Sequence, residues 1–177
     1  MAFAQQLHVR LGAAAQAKLD RQLQQARAVA RRYANVPAAR RDGYVKSSDT
    51  QPGVGAHWTS WKTVLRCGFD PARPSELLFR GTGDRARLVA LSYFVVSHGP
   101  PDGFEGPNDE WHQHLGLCLR DAENLGLVTR VGFSVAQCHA RGGVVFDGRD
   151  LWMLHAWVVP GFTNPWGVFA SANPHLM

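Results

Sequence analysis

Two histidines separated by a single residue, His112 and His114, are the residues in this sequence whose type and spacing best suit metal chemistry. An apolar run follows them and a Gly-Pro pair precedes them, a pattern typical of a β-strand. Side chains two residues apart on a strand leave from one face, about 6.6 Å apart along the strand. Neutral imidazole is the commonest protein ligand for zinc, copper and non-haem iron. The pair therefore predicts a site at which both rings reach one metal ion.

Two further histidines lie in segments with strand character. His57 opens an early run of β-forming residues, and His155 lies within residues 151–159, the most apolar run of the chain, on the same face as Met153 and Trp157. An unsatisfied polar group in an apolar setting costs about 1–3 kcal/mol, so a buried imidazole needs a partner. For His155 that partner is a metal ion, a carboxylate or a backbone carbonyl, and the sequence leaves the three open.

Glu110 and Cys118 share the predicted facing of His112. Glu110 is a candidate carboxylate ligand or a hydrogen-bond acceptor for a ligand, with a solvated charge at the start of the strand as the alternative. Cys118 lies four residues beyond His114, about 13 Å along a strand, which is too far for the same coordination sphere. Cys118 is therefore expected to pack in the core or to form a disulfide. The candidate metal ligands are His57, His112, His114, His155 and Glu110.

Other motifs that carry chemistry are missing from the sequence. There is no Gly-x-Ser-x-Gly elbow, and no base is indicated for Cys67, so a catalytic triad has no support. Gly81-Thr82-Gly83 lacks the third glycine and the helix of a dinucleotide-binding fingerprint. The remaining histidines fall in tails or turns, which favours surface positions: His8, His98, His139 and His175.

The composition is that of a folded protein, with 45% hydrophobic and 19% charged residues in 177. The formal net charge of +5 is concentrated near the N-terminus, because eight of the nineteen Lys and Arg residues precede Lys46. They belong mostly to a predicted helix and form no basic stripe with interleaved aromatics, so we expect no nucleic-acid partner. No apolar run approaches the ~20 residues that cross a bilayer, so we expect no membrane span.

The N-terminal part of the chain predicts a helical arm. Residues 13–34 are rich in Ala, Gln, Arg and Leu, which are strong helix formers. Pro37 is expected to break the helix because it biases Val36 away from helical backbone, with a short second helix through Arg41. Apolar residues in steps of four and three form one stripe: Leu19, Leu23, Ala26, Ala30 and Tyr33. We expect the arm, residues 1–43, to pack against the body or against a second subunit in a homo-oligomer.

From residue 44 onward, short runs of β-formers alternate with turns rich in Gly, Pro, Asn and Asp. The predicted strands are residues 55–62, 76–80, 87–97, 110–119, 129–135, 151–159 and 168–171. Several short strands with such punctuation favour an antiparallel barrel or sandwich. The predicted fold class is mainly β, with a β-barrel domain at residues 44–177 behind the N-terminal helical arm.

The cysteines and the first residues bear on the compartment. Cys118 and Cys138 flank a predicted hairpin and can pair if the protein is exported, which would leave Cys67 as a free thiol. Residues 1–5, Met-Ala-Phe-Ala-Gln, are similar to the end of a signal peptide. We expect an exported protein, periplasmic or extracellular. The alternative is a cytoplasmic protein that starts with these residues by coincidence.

Gly106, five residues, then His112 and His114 resemble the opening of the first cupin motif. Cupins carry a glutamate three or four residues later, where this chain has Cys118 and Leu119. The resemblance implies a cupin-like barrel in which an HxH pair meets a third histidine from a later strand.

A larger part of the chain resembles a set of uncharacterised bacterial proteins, often exported, with WHxHxxLC and MLHxWxVP signatures. These signatures are residues 111–118 and 153–160 here. The resemblance implies a helix leading into a β-rich body, and it implies no particular reaction. It groups into one site the residues His57, His112, His114 and His155.

These observations predict a metal-binding β-barrel protein with one transition-metal ion, copper, zinc or iron, in a mononuclear histidine-rich site. Three histidine ligands with an open position suit Lewis-acid or dioxygen chemistry, so a metalloenzyme acting on a small-molecule ligand is one interpretation. A closed site would belong to a non-catalytic exported metal- or small-ligand-binding protein. A third interpretation is an oligomeric interaction protein whose histidines are incidental.

Overall fold

The computed structural model describes residues 9–66, 68–120, 128–131 and 134–177. The helices are α1 (Ala13–Arg32), α2 (Val36–Arg41), α3 (Trp61–Val64) and α4 (Val135–His139). The strands are β1 (Val45–Lys46), β2 (Ala56–Thr59), β3 (Glu76–Arg80), β4 (Arg87–Val96), β5 (His112–Gln113), β6 (Leu117–Arg120), β7 (Val128–Val131), β8 (Gly143–Phe146) and β9 (Leu151–Ala156). Short 3-10 helices span Gly83–Arg85 and Pro174–Leu176. None of the helices in these ranges has the length and apolar character that a bilayer crossing requires.

The strands form two sheets. The larger has six strands in the order β1-β2-β3-β4-β9-β5, and the smaller has three in the order β7-β6-β8. All of these pairings are antiparallel, as predicted. Neither sheet closes on itself across the described residues. The structure therefore shows antiparallel sheets and an N-terminal helix, without the closed barrel that the sequence suggested.

The two faces of the six-stranded sheet differ in character. Residues directly opposite each other on neighbouring antiparallel strands point to the same face. The row on the apolar face comprises Trp58, Leu77, Leu91 and Ala156. The adjacent row, on the polar face, comprises Thr59, Glu76, Ser92 and His155. Each row takes one residue from each of β2, β3, β4 and β9, so neighbouring residues of the same strands build two different surfaces.

Helix α1 covers the apolar face. Its predicted stripe is buried, from 0% exposure at Ala26 to 8% at Leu23. The stripe belongs to one hydrophobic cluster with Leu77, Leu91 and Tyr93 of the sheet. The prediction that this helix packs against the body is confirmed, and helix and sheet share a single core.

The break between α1 and α2 has a different cause from the predicted one. Asn35 has extended backbone at φ −146°, and its side chain accepts a hydrogen bond from the Ala38 N–H at 3.0 Å, so Asn35 caps α2. Val36 is helical, and Pro37 lies in the first turn, where its missing N–H leaves no hydrogen bond unmade. The expectation that Pro37 breaks the helix is wrong, because at this position proline helps to start one.

The predicted strand at residues 110–119 is wrong, because this segment forms β5 and β6 in different sheets. Gly116 lies between them at φ 66°, in the left-handed region that favours glycine. Leu117 then pairs with Phe146 of β8 instead of continuing alongside β9. The turn at Gly116 therefore carries the chain from the large sheet to the small one.

Other strand predictions are mixed. Residues 76–80 form β3 as predicted, whereas residues 168–171 form no strand. Within the predicted strand at residues 129–135, the structure shows β7 up to Val131, whereas Ser134 caps α4 in a capping box that includes Gln137. Strands β1 and β8 form where the sequence predicts no strand.

A disulfide joins Cys118 of β6 to Cys138 of α4, with their Cα atoms 5.6 Å apart. The predicted pairing of these cysteines is confirmed, while Cys67 lies outside the described residues. Gly143 of β8 packs directly on the bond, since a Cβ atom there would lie 2.7 Å from the Cys118 Sγ and 2.8 Å from the Cys138 Sγ. The disulfide thus fixes α4 against the small sheet.

Candidate metal centre

The four histidines that the sequence singles out form one cluster on the polar face. The ring centroid of His112 lies 5.0 Å from that of His155 and 5.1 Å from that of His114. The His57 ring lies 5.8 Å from the His155 ring. The structure exposes three other histidines, as predicted: His98, His139 and His175. His8 lies outside the described residues.

Sheet pairing and curvature bring these histidines together. His112 lies opposite Met153, two residues before His155, so these two rings are neighbours on adjacent strands. His57 is more distant along the sheet, because β3 and β4 separate β2 from β9. In a flat sheet this separation is about 14 Å. Because the His57 and His155 rings are only 5.8 Å apart, the sheet must curve toward its polar face.

Oxygen atoms hold the Nδ1 nitrogens of three of these imidazoles. The His112 Nδ1 lies 3.0 Å from the Glu110 carbonyl oxygen, and the His155 Nδ1 lies 2.8 Å from the Ser171 carbonyl oxygen. A carbonyl oxygen only accepts, so both Nδ1 atoms carry the proton. The His57 Nδ1 lies 3.0 Å from the Ser48 hydroxyl oxygen. That hydroxyl donates to a backbone carbonyl at 3.0 Å, so His57 is again the donor.

In these three imidazoles the other ring nitrogen, Nε2, consequently carries a free lone pair that can bind a metal ion. A neutral imidazole with a proton on Nδ1 has an unprotonated Nε2. The Nε2 atoms of His57 and His155 are buried and have no hydrogen-bond partner. A ligand histidine typically donates its other N–H to an oxygen in this way, which fixes the ring and its tautomer. The Nε2 atoms of His57 and His155 are therefore unprotonated, buried and without a hydrogen bond.

Burial keeps these imidazoles neutral. Desolvation, with a contribution from the nearby His112, lowers the pKa of His57 to about 4, and desolvation with the charges of neighbouring histidines lowers that of His114 to about 4. Burial also lowers the pKa of His112 and lowers that of His155 well below its ordinary value. Metal ions bind the deprotonated ring, so at neutral pH no proton has to leave these histidines first.

Glu110 contacts the histidine cluster through hydrogen bonds of both its main chain and its side chain. Its carbonyl oxygen lies beside the His112 Nδ1, and its carboxylate accepts a hydrogen bond from the Ser171 N–H at 3.0 Å. Ser171 in turn accepts from His155 through its carbonyl oxygen. The acceptor for His112 is thus the main-chain carbonyl of Glu110, whereas the carboxylate reaches the cluster only through Ser171. The assignment of Glu110 as a metal ligand stays a prediction.

Glu76 is a site residue that the sequence reasoning missed. It is 4% exposed, and its carboxylate accepts hydrogen bonds from the Thr59 hydroxyl at 2.7 Å and the Ser92 hydroxyl at 3.0 Å. Burial raises its pKa to about 7, against the lowering effect of these hydrogen bonds and of His112. The available signal was a glutamate at the head of an apolar strand, on the face that β-alternation assigns to Leu78.

A small pocket adjoins the cluster. Its lining includes His57, Glu76 and His114 together with the apolar side chains of Phe94 and Met153. Its volume is about 30 Å³, counted as space open to the centre of a water molecule. One water needs roughly 10–15 Å³ by this measure, so the pocket takes about two waters or a ligand of similar size.

Neither the arrangement of these side chains nor similarity to known proteins identifies this site. Within the described ranges, no three His, Cys, Asp or Glu side chains already stand in a metal-binding arrangement. Compared with known proteins, the chain matches no family model, no curated protein and no solved structure. The resemblance to exported bacterial proteins with WHxHxxLC and MLHxWxVP signatures, and that to cupins, therefore remain predictions.

Proposed function

We propose that the protein binds one transition-metal ion per chain through His57, His112, His114 and His155. The observation that carries the proposal is the pair of buried Nε2 lone pairs on His57 and His155 that no donor satisfies. Leaving a buried acceptor unpaired costs about 1–3 kcal/mol. One metal ion could bind both Nε2 atoms. The hydrogen bonds at Nδ1 already fix the ring tautomer that metal binding requires.

The ring separations support this assignment. Two imidazoles on a tetrahedral ion, with metal–nitrogen bonds of about 2.0–2.1 Å, have ring centroids about 5 Å apart. The neighbouring rings of the cluster are separated by 5.0, 5.1 and 5.8 Å. Binding therefore requires the rings to turn toward a common point, with small displacements of the strands. Nitrogen-rich ligation without thiolate suits copper, zinc or iron and does not separate them.

The adjoining pocket favours a metal with an open coordination position. Catalytic metal sites keep one position for water or substrate, whereas structural sites are closed by protein ligands. The pocket lies beside His57 and His114 and is lined mostly by apolar groups. A Lewis-acid role toward a small molecule is the function that this arrangement supports best. A non-catalytic metal-binding protein is the alternative, and it predicts that added small ligands leave the spectrum of the bound metal unchanged.

Metal content tests the proposal directly. Protein reconstituted with zinc and then desalted should contain about one ion per chain by elemental mass spectrometry. The double variant His112→Ala/His114→Ala should lose it. The matched control is His98→Ala/His175→Ala, which removes two exposed histidines and should keep full metal content. Retention of one ion by the first variant would show that the assignment is wrong.

Two broader features accompany this proposal. The sheet that curves around the histidines is what a partly open, cupin-like barrel would supply. Export to the periplasm or the extracellular space agrees with the disulfide, which forms mainly in oxidising compartments.

A further inference from the structure

A buried carboxyl group faces the same pocket as the histidines. Glu76 lines it together with His57 and His114, although it lies on β3, a strand that carries no histidine. Pairing places Glu76 opposite Thr59 of β2 and opposite Ser92 of β4. The carboxyl group therefore lies on the polar face of the sheet, between β2, which carries His57, and β9, which carries His155.

Hydroxyl groups fix the orientation of this carboxyl group. Thr59 donates to its Oε1 at 2.7 Å, and Ser92 donates to its Oε2 at 3.0 Å. Because the Thr59 proton is used in this way, the Ser47 hydroxyl must donate to Thr59, at 2.6 Å. A carboxylate has about four lone-pair sites, so each oxygen can still contact a ligand in the pocket.

No Lys or Arg is among the residues that line this pocket. Among the described residues, the titratable groups in the lining are Glu76, His57 and His114. Burial lowers the pKa of these two histidines and of their neighbours His112 and His155. An ionised Glu76 therefore has hydroxyl donors but no cationic side chain to balance its charge. A buried carboxyl group in this situation holds a proton or faces a bound cation.

We propose that Glu76 is the acid–base group of the pocket, which takes a proton from a water or small hydroxylated ligand bound at the histidine cluster and later returns it. The inference rests on the proposed metal site, since the histidines position the ligand. In the forward step the ligand O–H bond breaks, its electron pair stays on the ligand oxygen, and the proton joins a Glu76 carboxylate oxygen. The reverse step restores both groups, so charge and atoms balance without an oxidant or reductant.

The contacts of Glu76 orient its carboxyl group for this role. Thr59 and Ser92 each donate one hydrogen bond to a carboxylate oxygen, and His57 and His155 present unpaired Nε2 atoms from β2 and β9. A bound cation near the pocket would favour the ionised carboxylate and so release its proton. Metal binding should therefore displace a proton from Glu76, while the neutral histidines have none to release.

Calorimetric titration with Zn²⁺ in buffers of different ionisation enthalpy counts the released protons. The wild type should release close to one proton more than Glu76→Gln at pH 6, and nearly the same number at pH 8.5, because burial raises the pKa of Glu76 to about 7. Glu76→Asp keeps a carboxyl group and should recover part of the difference. Glu105→Gln, which changes a partly exposed carboxylate paired with Lys18, is the matched control and should behave as the wild type.

Each outcome decides the assignment. Glu76→Gln protein with full zinc content and the smaller proton release supports it. Loss of zinc from this variant would make Glu76 a ligand, and an unchanged proton count would give it no acid–base part; either result overturns the inference. If the wild type binds no zinc, the metal proposal fails by itself. The infrared band of a protonated carboxyl group in the metal-free protein, absent from Glu76→Gln, then supports a proton-carrying Glu76, and its absence from the wild type overturns it.

Discussion

The apolar and polar faces of the six-stranded sheet are built from alternate residues of the same strands, yet they have opposite energetic effects. Leu77, Leu91 and Ala156 on the apolar face are 0% exposed and pack under α1. Glu76 and His155 on the polar face are equally inaccessible, at 4% and 2%. Burying apolar area stabilises the fold, whereas burying titratable groups costs free energy unless they find partners.

The difference suggests a division of labour. Burial on the apolar face stabilises the fold. This stability offsets the free-energy cost of the polar face, where buried imidazoles are neutral and some of their nitrogens have no hydrogen bond. Proteins retain such unfavourable arrangements mainly where binding or chemistry requires them. The comparison can be tested by damaging each face separately and measuring whether the effects differ in kind.

The largest effect should come from the apolar face. Changing Leu19 and Leu23 of α1 together to Asp removes two buried leucines, whose burial contributes about 3–6 kcal/mol, and adds two charges to the core. Typical domains are stable by about 5–15 kcal/mol. We expect the variant to be largely unfolded, with no cooperative melting transition by circular dichroism.

The matched control changes Gln24 and Gln25 to Asp, at exposed positions of the same helix. Helix propensity then costs only about 1 kcal/mol in total, so the melting transition should persist. A Leu19→Asp/Leu23→Asp protein as stable as this control would contradict the view that α1 stabilises the sheet.

This helix is also the element that the sequence predicted best. A stripe in steps of four and three is a local pattern, and burial of one side of α1 requires only a sheet somewhere beside it. The start at Ala13 agrees with the predicted start, and the end at Arg32 lies two residues before the predicted end. The arrangement of the sheets was less predictable, because it depends on one backbone conformation at Gly116 that sends Leu117 into the other sheet.

Part of the candidate site was predictable because it, too, depends on local sequence patterns. The HxH spacing and the apolar setting of His155 are visible in sequence. Their meeting with His57 depends on sheet order and curvature, which no local pattern encodes. Glu76 escaped notice because an isolated glutamate at a strand start usually indicates a solvated charge, and only pairing with Thr59 and Ser92 shows that it is buried.

A smaller effect should follow from opening the disulfide, which tests the region where the small sheet meets the polar face. Leu117 of β6 lines the pocket, and Cys118 beside it is joined to Cys138. Removing a bond that spans 20 residues costs about 2–4 kcal/mol. We expect Cys118→Ala/Cys138→Ala to lower the free energy of unfolding in urea by that amount.

Hydrogen exchange shows where this loss falls. Amides of β6 and β8 should exchange faster in the cysteine variant, while those of α1 on the apolar face stay protected. The wild type treated with reductant should behave in the same way, and intact mass after alkylation should show two additional modified thiols only on reduction. Three free thiols in protein prepared under oxidising conditions, or uniform loss of protection that includes α1, would contradict this separation.

The smallest change at any one pH unit concerns the acid sensitivity that the buried histidines of the polar face impose. The folded protein holds the pKa of His57 at about 4, below the ordinary 6.5, because burial disfavours the charged ring. Between these values the unfolded chain binds the extra proton, so the free energy of unfolding rises with pH and is lost as pH falls from 6.5 toward 4. The slope is about 1.4 kcal/mol per pH unit for one such group.

His57→Asn should remove this share of the slope. An Asn side chain places its polar group near the position of the Nδ1 atom, so it can keep a contact with Ser48 without titrating. We expect urea unfolding of metal-free protein from pH 4.5 to 6.5 to show a slope lower than in the wild type, by about 1.4 kcal/mol per pH unit at most. Glu76 contributes with the opposite sign, because its raised pKa favours the folded state at low pH, but it does so equally in both proteins. His98→Asn, at a fully exposed ring, should keep the wild-type slope. If both variants show the same slope, the polar face does not hold His57 neutral, and its difference from the apolar face would be one of composition alone.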